Sequence, residues 1–516
     1  MKKQLSKSHL LSLAALFGLM LALASCAHED LTQKTTETDA DNDKNLTTFT
    51  TGTSPETRTS MDYNTGAFYW EEGDHIYVQD DDNVWQKSSN APTSKVAAFK
   101  FKVPGKFTAK TSYKVYYPGK NGNNNLVTIP AAQTQTAAHD TRHFGASGDC
   151  GVAKATKVEG KAQFEFKLDH QAAILVFQPY LGNDNKLVST YVTKIEVTSN
   201  NNITGTYTLN SSTGTLTGTG TGKQITLTTK STSGTFSNGF PLTKKTPDLA
   251  ANGAYMIIMP GMHTLTVKYT LKDVQTNVEG TITKTCSSFD YQKNTYYDMK
   301  ANLAMTDYDA TNYYMWDAKK QYWDGWEWIK NLSGGQPTLN NTSSTNYAQN
   351  NSDSRYYNTS NSPQATHSCA SLPNVNEIAW YAVKGDPRWD GDKLWTTMRH
   401  LYKGGIWLKK KEYISNYNTE KAPDGIDYRI ENYNTGWGIS STPPSVADAD
   451  KYFYLPALGY YEKGKLEYLG HYGYYWSSNV CKFISSTAYR LVFHSGSRIG
   501  ISYSYRDLGY SIGKFE

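Results

Sequence analysis

The stretch Tyr452–Ser478, YFYLPALGYYEKGKLEYLGHYGYYWSS, decides how the rest of the chain is read. Low hydrophobicity is what keeps terminal segments unfolded, so a block this dense in aromatic residues closes a folded domain. Alternation continues beyond it. Ala488, Arg490 and Val492 face away from Tyr489, Leu491 and Phe493, and Ile499, Ile501, Tyr503 and Tyr505 follow before Gly509-Tyr510-Ser511-Ile512. A period of two marks strands with alternate side chains on opposite faces. About half of Tyr474, Tyr475, Trp476, Tyr503 and Tyr505 should then be core. The exposed remainder would suit stacking on sugar rings or anchoring a protein partner.

Working upstream, Cys369–Tyr381 (CASLPNVNEIAWY) places Val375, Ile378 and Ala379 on one face of a helix, with Asn374 as its N-cap. Asn331–Gln364 is so rich in Asn, Ser, Thr and Gly that it reads as disordered, and Asn312–Trp328 packs four Trp into a short span. Ten of the 12 Trp and 25 of the 39 Tyr lie beyond residue 305, whereas Thr-rich alternating segments precede it. That shift is a domain boundary. Before it, Phe68–Val78 reads as strand-turn-strand around Gly73-Asp74, and Ala172–Phe177 is a continuous apolar run suited to a strand covered on both faces. Leu265, Val267, Tyr269 and Leu271 alternate cleanly. Many short strands with turn signals mean β-sandwiches, and some 250 residues divide better into two than one.

At the other end, Lys2, Lys3 and Lys7 precede the apolar run Leu10–Ala24, too short for the ~20 residues that span a bilayer. This is a secretory signal, and its Leu23-Ala24-Ser25-Cys26 ending resembles a bacterial lipobox, in which Cys26 carries the lipid. The polar segment after Cys26 cannot bury a core. Its His28-Glu29-Asp30 start resembles the surface-export signal of Bacteroidetes lipoproteins, which implies the outer face of the outer membrane. The net charge of +5 over 516 residues is small and scattered, unlike a nucleic-acid footprint. Cys150, Cys286, Cys369 and Cys481 fit no zinc spacing, and export implies an oxidising setting. Cys369 with Cys481 is the preferred disulfide because both fall in the last domain; free thiols are the alternative.

Between Thr47 and Met305 the ordered set Thr57-Arg58-Thr59, Trp70, Gly73-Asp74, Ile129-Pro130 with Gln133, Phe166-x-Leu168-x-His170-x-x-Ala173, Ile258-Met259-Pro260 and the strand from Asn294 resembles the fimbrillin (Mfa-like and FimA-like) family of Bacteroidetes lipoproteins. The resemblance implies two transthyretin-like sandwiches assembled into a pilus by donor-strand exchange. Members lose their first strand to an Arg-specific protease. Here the cut would fall between Arg58 and Thr59, releasing a strand within Asn45–Thr57, and a neighbouring subunit's strand would fill the groove. Leu372-Pro373 with Glu377, Leu455-Pro456 with Gly459-Tyr460, Gly473–Ser478 and Gly509–Ile512 resemble the Fibrobacter succinogenes major paralogous domain, thought to be C-type-lectin-like and related to the formylglycine-generating-enzyme fold.

The expected organisation is mainly β: signal peptide 1–26, polar tether 27–46, sandwiches 47–178 and 179–304, and an α+β lectin-like domain 305–516. No calcium-lectin Glu-Pro-Asn or Gln-Pro-Asp is present, though Asp386, Asp390 and Asp392 could gather calcium-ligating oxygens. Gly214–Gly222 fails the P-loop pattern, and neither H-E-x-x-H nor G-x-S-x-G occurs. Catalysis and cofactors therefore lack support, a formylglycine-type oxidase being the remote alternative. The expected role is a pilus tip adhesin, because the lectin-like domain occupies the end that a shaft subunit would donate. The competing reading is a lipid-anchored surface protein that binds glycan or protein without polymerising.

Overall fold

The computed structural model describes residues 2–4, 45–51, 60–63, 68–183, 187–210, 213–360, 362–495 and 498–516. The chain is mainly β, as its patterning implies. Cys26, Arg58, Thr59 and nearly all of the tether lie outside the described residues.

The first unit is one curled sheet. Its strands are β1 (Leu46–Thr50), β2 (Tyr77–Gln79), β3 (Trp85–Lys87), β4 (Lys100–Pro104), β5 (Ser112–Tyr117), β6 (Gly151–Lys157) and β7 (Gln163–Glu165), in the order β3-β2-β5-β6-β7-β1-β4. The segment after β3 returns to β4 through Ser89 N–H to Lys102 O (2.8 Å) and a pair of bonds from the Asn90 amide. The curl encloses Phe49, Trp70, Val78, Phe101, Tyr113, Val115 and Phe164. The Gly73-Asp74 turn sits where expected, its buried Asp74 accepting from Glu71 N–H (2.7 Å) and Tyr117 OH (2.9 Å).

The second unit is built on β8 (Ala173–Leu181), which straddles the expected boundary at 178/179. Ala173, Leu175 and Phe177 face one hydrophobic cluster, and Ile174 and Val176 face another with Phe68, Phe144 and Tyr255. That double cover explains its unbroken apolar run. Across the first cluster lies a sheet containing β9 (Thr190–Ser199), β10 (Gln224–Thr228), β12 (Leu265–Asp273) and β13 (Glu279–Thr285). Beside β8 run β11 (Ala254–Ile258), antiparallel, and β14 (Thr295–Asn302), parallel. Lys2–Gln4, within the expected signal peptide, pair antiparallel with Thr295–Tyr297.

The far edge of β11 is closed by side chains instead of a strand. Gln133 bonds both Ile257 N–H (3.0 Å) and Ile257 O (2.7 Å); Gln135 bonds Tyr255 N–H (2.7 Å) and Gly253 O (2.9 Å). His143 Nε2 donates to Tyr255 O at 3.0 Å. Burial holds the His143 imidazole down at about 4, so it is neutral at pH 7.

The last domain has α1 (Val375–Lys384) packed against a sheet whose core strands are β18 (Tyr472–Val480), β19 (Thr487–His494) and β20 (Arg498–Tyr505). A second sheet holds β15 (Arg388–Thr397), β16 (His400–Lys409) and β17 (Tyr452–Pro456). Asn374 caps the helix as read from sequence, in a reciprocal box with Glu377. Gly473 is required because the Phe493 ring covers it, and a Cβ there would meet that ring at 2.1 Å.

The described residues of Asn331–Gln364 are held in place, contrary to the disorder their composition implies. They lack long elements but are pinned by Gln336 to Ala310 O (3.1 Å), Asn340 to both backbone groups of Leu469, and Asn341 N–H to Leu466 O (2.8 Å). Polar side chains satisfy the backbone that regular structure would otherwise pair.

One polar network joins the last domain to the second unit. The Asp273 carboxylate, fully buried at the end of β12, accepts from Ser189 Oγ (2.6 Å), Thr190 Oγ1 (3.0 Å) and Leu401 N–H (3.1 Å), with His400 Nδ1 at 3.4 Å. Thr276 Oγ1 donates to Leu401 O at 2.9 Å, and Leu394 and Leu401 enter the second unit's core.

Candidate functional site: a strand slot and the last domain's surface

β1 lies between β7, to which it is parallel, and β4, to which it is antiparallel; those two strands do not pair with each other. Removing β1 therefore opens a slot one strand wide, flanked by main-chain donors and acceptors. Phe49, fully buried, is its apolar plug, stacked on Phe164 (5.2 Å between centroids) and edge-on to Phe107 (5.0 Å). Arg58 and Thr59 fall between the described residues Thr51 and Ser60, and the Ser60 hydroxyl donates to Glu71 at 2.5 Å.

The five aromatic residues proposed from sequence separate. Tyr474, Tyr475 and Trp476 are buried, Tyr503 is half-buried, and only Tyr505 is exposed, at 65%. The expected half-exposed split fails on β18 because both its faces are covered. Tyr475 stacks on Phe493 in the main core, while Tyr474 and Trp476 pack with Trp316, Cys369 and Tyr510 on the reverse face. Two indoles tie the Trp-rich start to this strand: Trp316 Nε1 donates to Ser477 O (2.9 Å) and Trp476 Nε1 to Tyr314 O (2.8 Å). These residues hold the domain together. Beside Tyr505, Tyr468 is exposed, and Tyr472 and His494 are half-buried, with Tyr472 stacked on His494 at 5.0 Å. Tyr472 and His494 are cross-strand partners, a pairing that periodicity in one strand does not reveal.

The Cys369–Cys481 disulfide is not formed; Cys150, Cys286, Cys369 and Cys481 are all free. Cys369 packs with Trp316 and Trp476 and its Sγ accepts Asp317 N–H at 3.2 Å, whereas Cys481 belongs to the other cluster with Tyr489. Sharing a domain does not place two residues on one side of a sheet. Burial pushes the Cys369 thiol up to about 12 and Cys150 well above its usual range. Thiol titration of native protein should therefore label Cys286, which is half-buried, well before these two. A melting temperature lowered by reductant would show a disulfide after all.

Asp386, Asp390 and Asp392 do not converge. Asp386 pairs with Arg388 (3.0 Å) and accepts from Tyr452 OH (2.5 Å); Asp390 accepts from Trp407 Nε1 (3.0 Å) and two backbone N–H groups; Asp392 points fully outward, 3.6 Å from Lys403. Among the described residues no group of three or more His, Cys, Asp or Glu gathers as a metal site.

No family model and no curated protein matches this chain. Among solved structures, it is similar to a candidate cell-adhesion protein of Bacteroides ovatus (14% identity, 46% of this chain and 84% of that one, TM-score 0.29). A fimbrial protein of the same species covers 90% of this chain and 98% of its own at 10% identity (TM-score 0.26). The fimbrial anchor protein Mfa2 of Porphyromonas gingivalis shares 11% identity over 46% and 82% (TM-score 0.20). Scores this far below 0.5 carry no inference about function.

Proposed function

We propose that this protein is a fimbrial subunit that accepts a neighbour's strand and ends the fibre as a tip adhesin. The observation that carries the reading is β1. It is short, bonded on both edges, plugged by a single Phe, and followed in sequence by Arg58. In this reading Cys26 carries a lipid that holds the precursor at the outer membrane, and cleavage after Arg58 frees β1. The slot then takes an extended segment from the next subunit, which gains a full main-chain ladder on both sides.

Within the last domain, residues 510–516 are held in place. β21 (Tyr510–Ser511) pairs with Tyr313–Tyr314 and touches β18, and Phe515 packs among Tyr381, Phe453 and Tyr475. Tyr381 OH and Lys411 N–H both donate to Glu516 O at 2.9 Å. This segment is built into its own domain and is not available as a donor strand.

The test is the Arg58→Ala variant in the native host. Wild-type protein on fibres should begin at Thr59 by mass spectrometry of its N-terminus and label fibre ends. The variant should keep its lipidated start and stay off fibres. A wild-type protein that retains Cys26, or labelling scattered along shafts, would overturn the tip assignment.

A further inference from the structure

A cleft of about 700 Å³ opens where the turn after β12 faces the last domain. Gln275, Asn277 and Glu279 form one side; Trp389 and His471 form the other, with Gly404 between. Gly404 has φ +94°, and a Cβ there would stand 3.1 Å from the indole Cζ2 and 3.0 Å from Gly470 O. Any other residue would press a side chain against the indole. The ring is half-buried, its Nε1 without a hydrogen-bond partner among the described residues.

The polar groups around the cleft are equally uncommitted. The side chains of Gln275, Asn277, Glu279 and His471 make no hydrogen bond to another described residue. The wall that carries three of them is nevertheless fixed, because Asp273 accepts from Gln275 N–H (2.9 Å) and Thr276 is bonded to Leu401. A preformed wall avoids the ordering cost of binding.

We propose that this cleft binds a neutral pyranose sugar. The C–H face of such a ring suits the electron-rich face of an indole. Its hydroxyls, each both donor and acceptor, match a row of amide, carboxylate and imidazole groups. A wholly apolar ligand would strip those groups of water without replacing their bonds. An anionic ligand would meet Glu279, and the one lysine lining the cleft, Lys403, already lies 3.6 Å from Asp392. The assignment deepens the adhesin reading and rests on it for access to an outside glycan.

The experiment probes full-length protein on an array of neutral oligosaccharides of glucose, galactose, mannose and N-acetylglucosamine alongside sulfated and sialylated ones. The best neutral hit is then followed by titration calorimetry. Trp389→Ala should weaken binding by about tenfold or more. Because that variant could disturb folding, the exposed pair Asn277→Ala with His471→Ala serves beside it, and should weaken binding about fivefold at an unchanged melting temperature. Binding unaffected by both changes, binding confined to anionic glycans, or no glycan bound would overturn the proposal. Fibre incorporation of the same variants is scored separately. It should stay at the wild-type level, and its loss in wild type with sugar binding intact would sink the fimbrial reading and spare the cleft.

Discussion

Asp273→Ala should destabilise the protein by about 3–5 kcal/mol and split its thermal unfolding into two steps. The carboxylate is fully buried and collects Ser189, Thr190, His400 and the N–H groups of Leu401, Gln275 and Thr276. Removing it leaves several buried donors without an acceptor, and each such group costs about 1–3 kcal/mol. Because Leu401 and His400 belong to the last domain, the loss falls on the junction and on the wall of the saccharide cleft. Differential scanning calorimetry reads both effects; a single transition shifted by a degree or two would contradict them. The same site has a pH signature. Burial works to raise the Asp273 carboxyl, but the bonds from His400, Ser189 and the backbone outweigh it and hold the group well below the usual carboxylate range. A depressed carboxyl contributes its stability above the unfolded value near 4, and that contribution falls away as the pH drops below it. The variant should therefore melt with a flatter dependence below about pH 4 than the wild type.

Phe49→Ala should cost the first unit about 3–5 kcal/mol, the range for truncating a buried Phe. Phe49 touches Phe107, Tyr113 and Phe164, and no other β1 residue is buried as fully. The proposed cleavage should be equally destabilising until the slot is refilled. A synthetic peptide of residues 45–51 added to protein beginning at Thr59 should restore the melting temperature, whereas the same peptide with the Phe49→Ala change should not. Restoration by both peptides would mean that main-chain bonds alone fill the slot. A loss under about 1 kcal/mol in the intact variant would mean that Phe49 is not its plug.

Strands were legible wherever one residue's neighbours in sequence settled its surroundings. Ala172–Phe177 announced two covered faces, and Asn374 with Glu377 announced a helix start. Legibility ended where surroundings come from distant chain. Tyr474 and Trp476 alternate like exposed residues but are covered by Trp316 and Tyr510. Cys369 and Cys481 share a domain but belong to separate clusters. The Asn-rich 331–364 segment has the composition of a linker, yet its amides are the bonds that hold it. The cleft is the extreme case, since its two walls are more than a hundred residues apart and Trp389 sits in a stretch whose three aspartates drew attention first.

The glutamine-and-histidine staple along β11 guards an edge of the sheet that contains β8. An open edge there would let another chain add sideways, and exposed edges are how β-proteins aggregate. Gln133, Gln135 and His143 occupy the backbone groups of that edge from Gly253 to Ile257. A strand arriving at that edge would find those donors and acceptors already taken. The staple thus keeps one edge of the sheet around β8 from pairing with a stray strand.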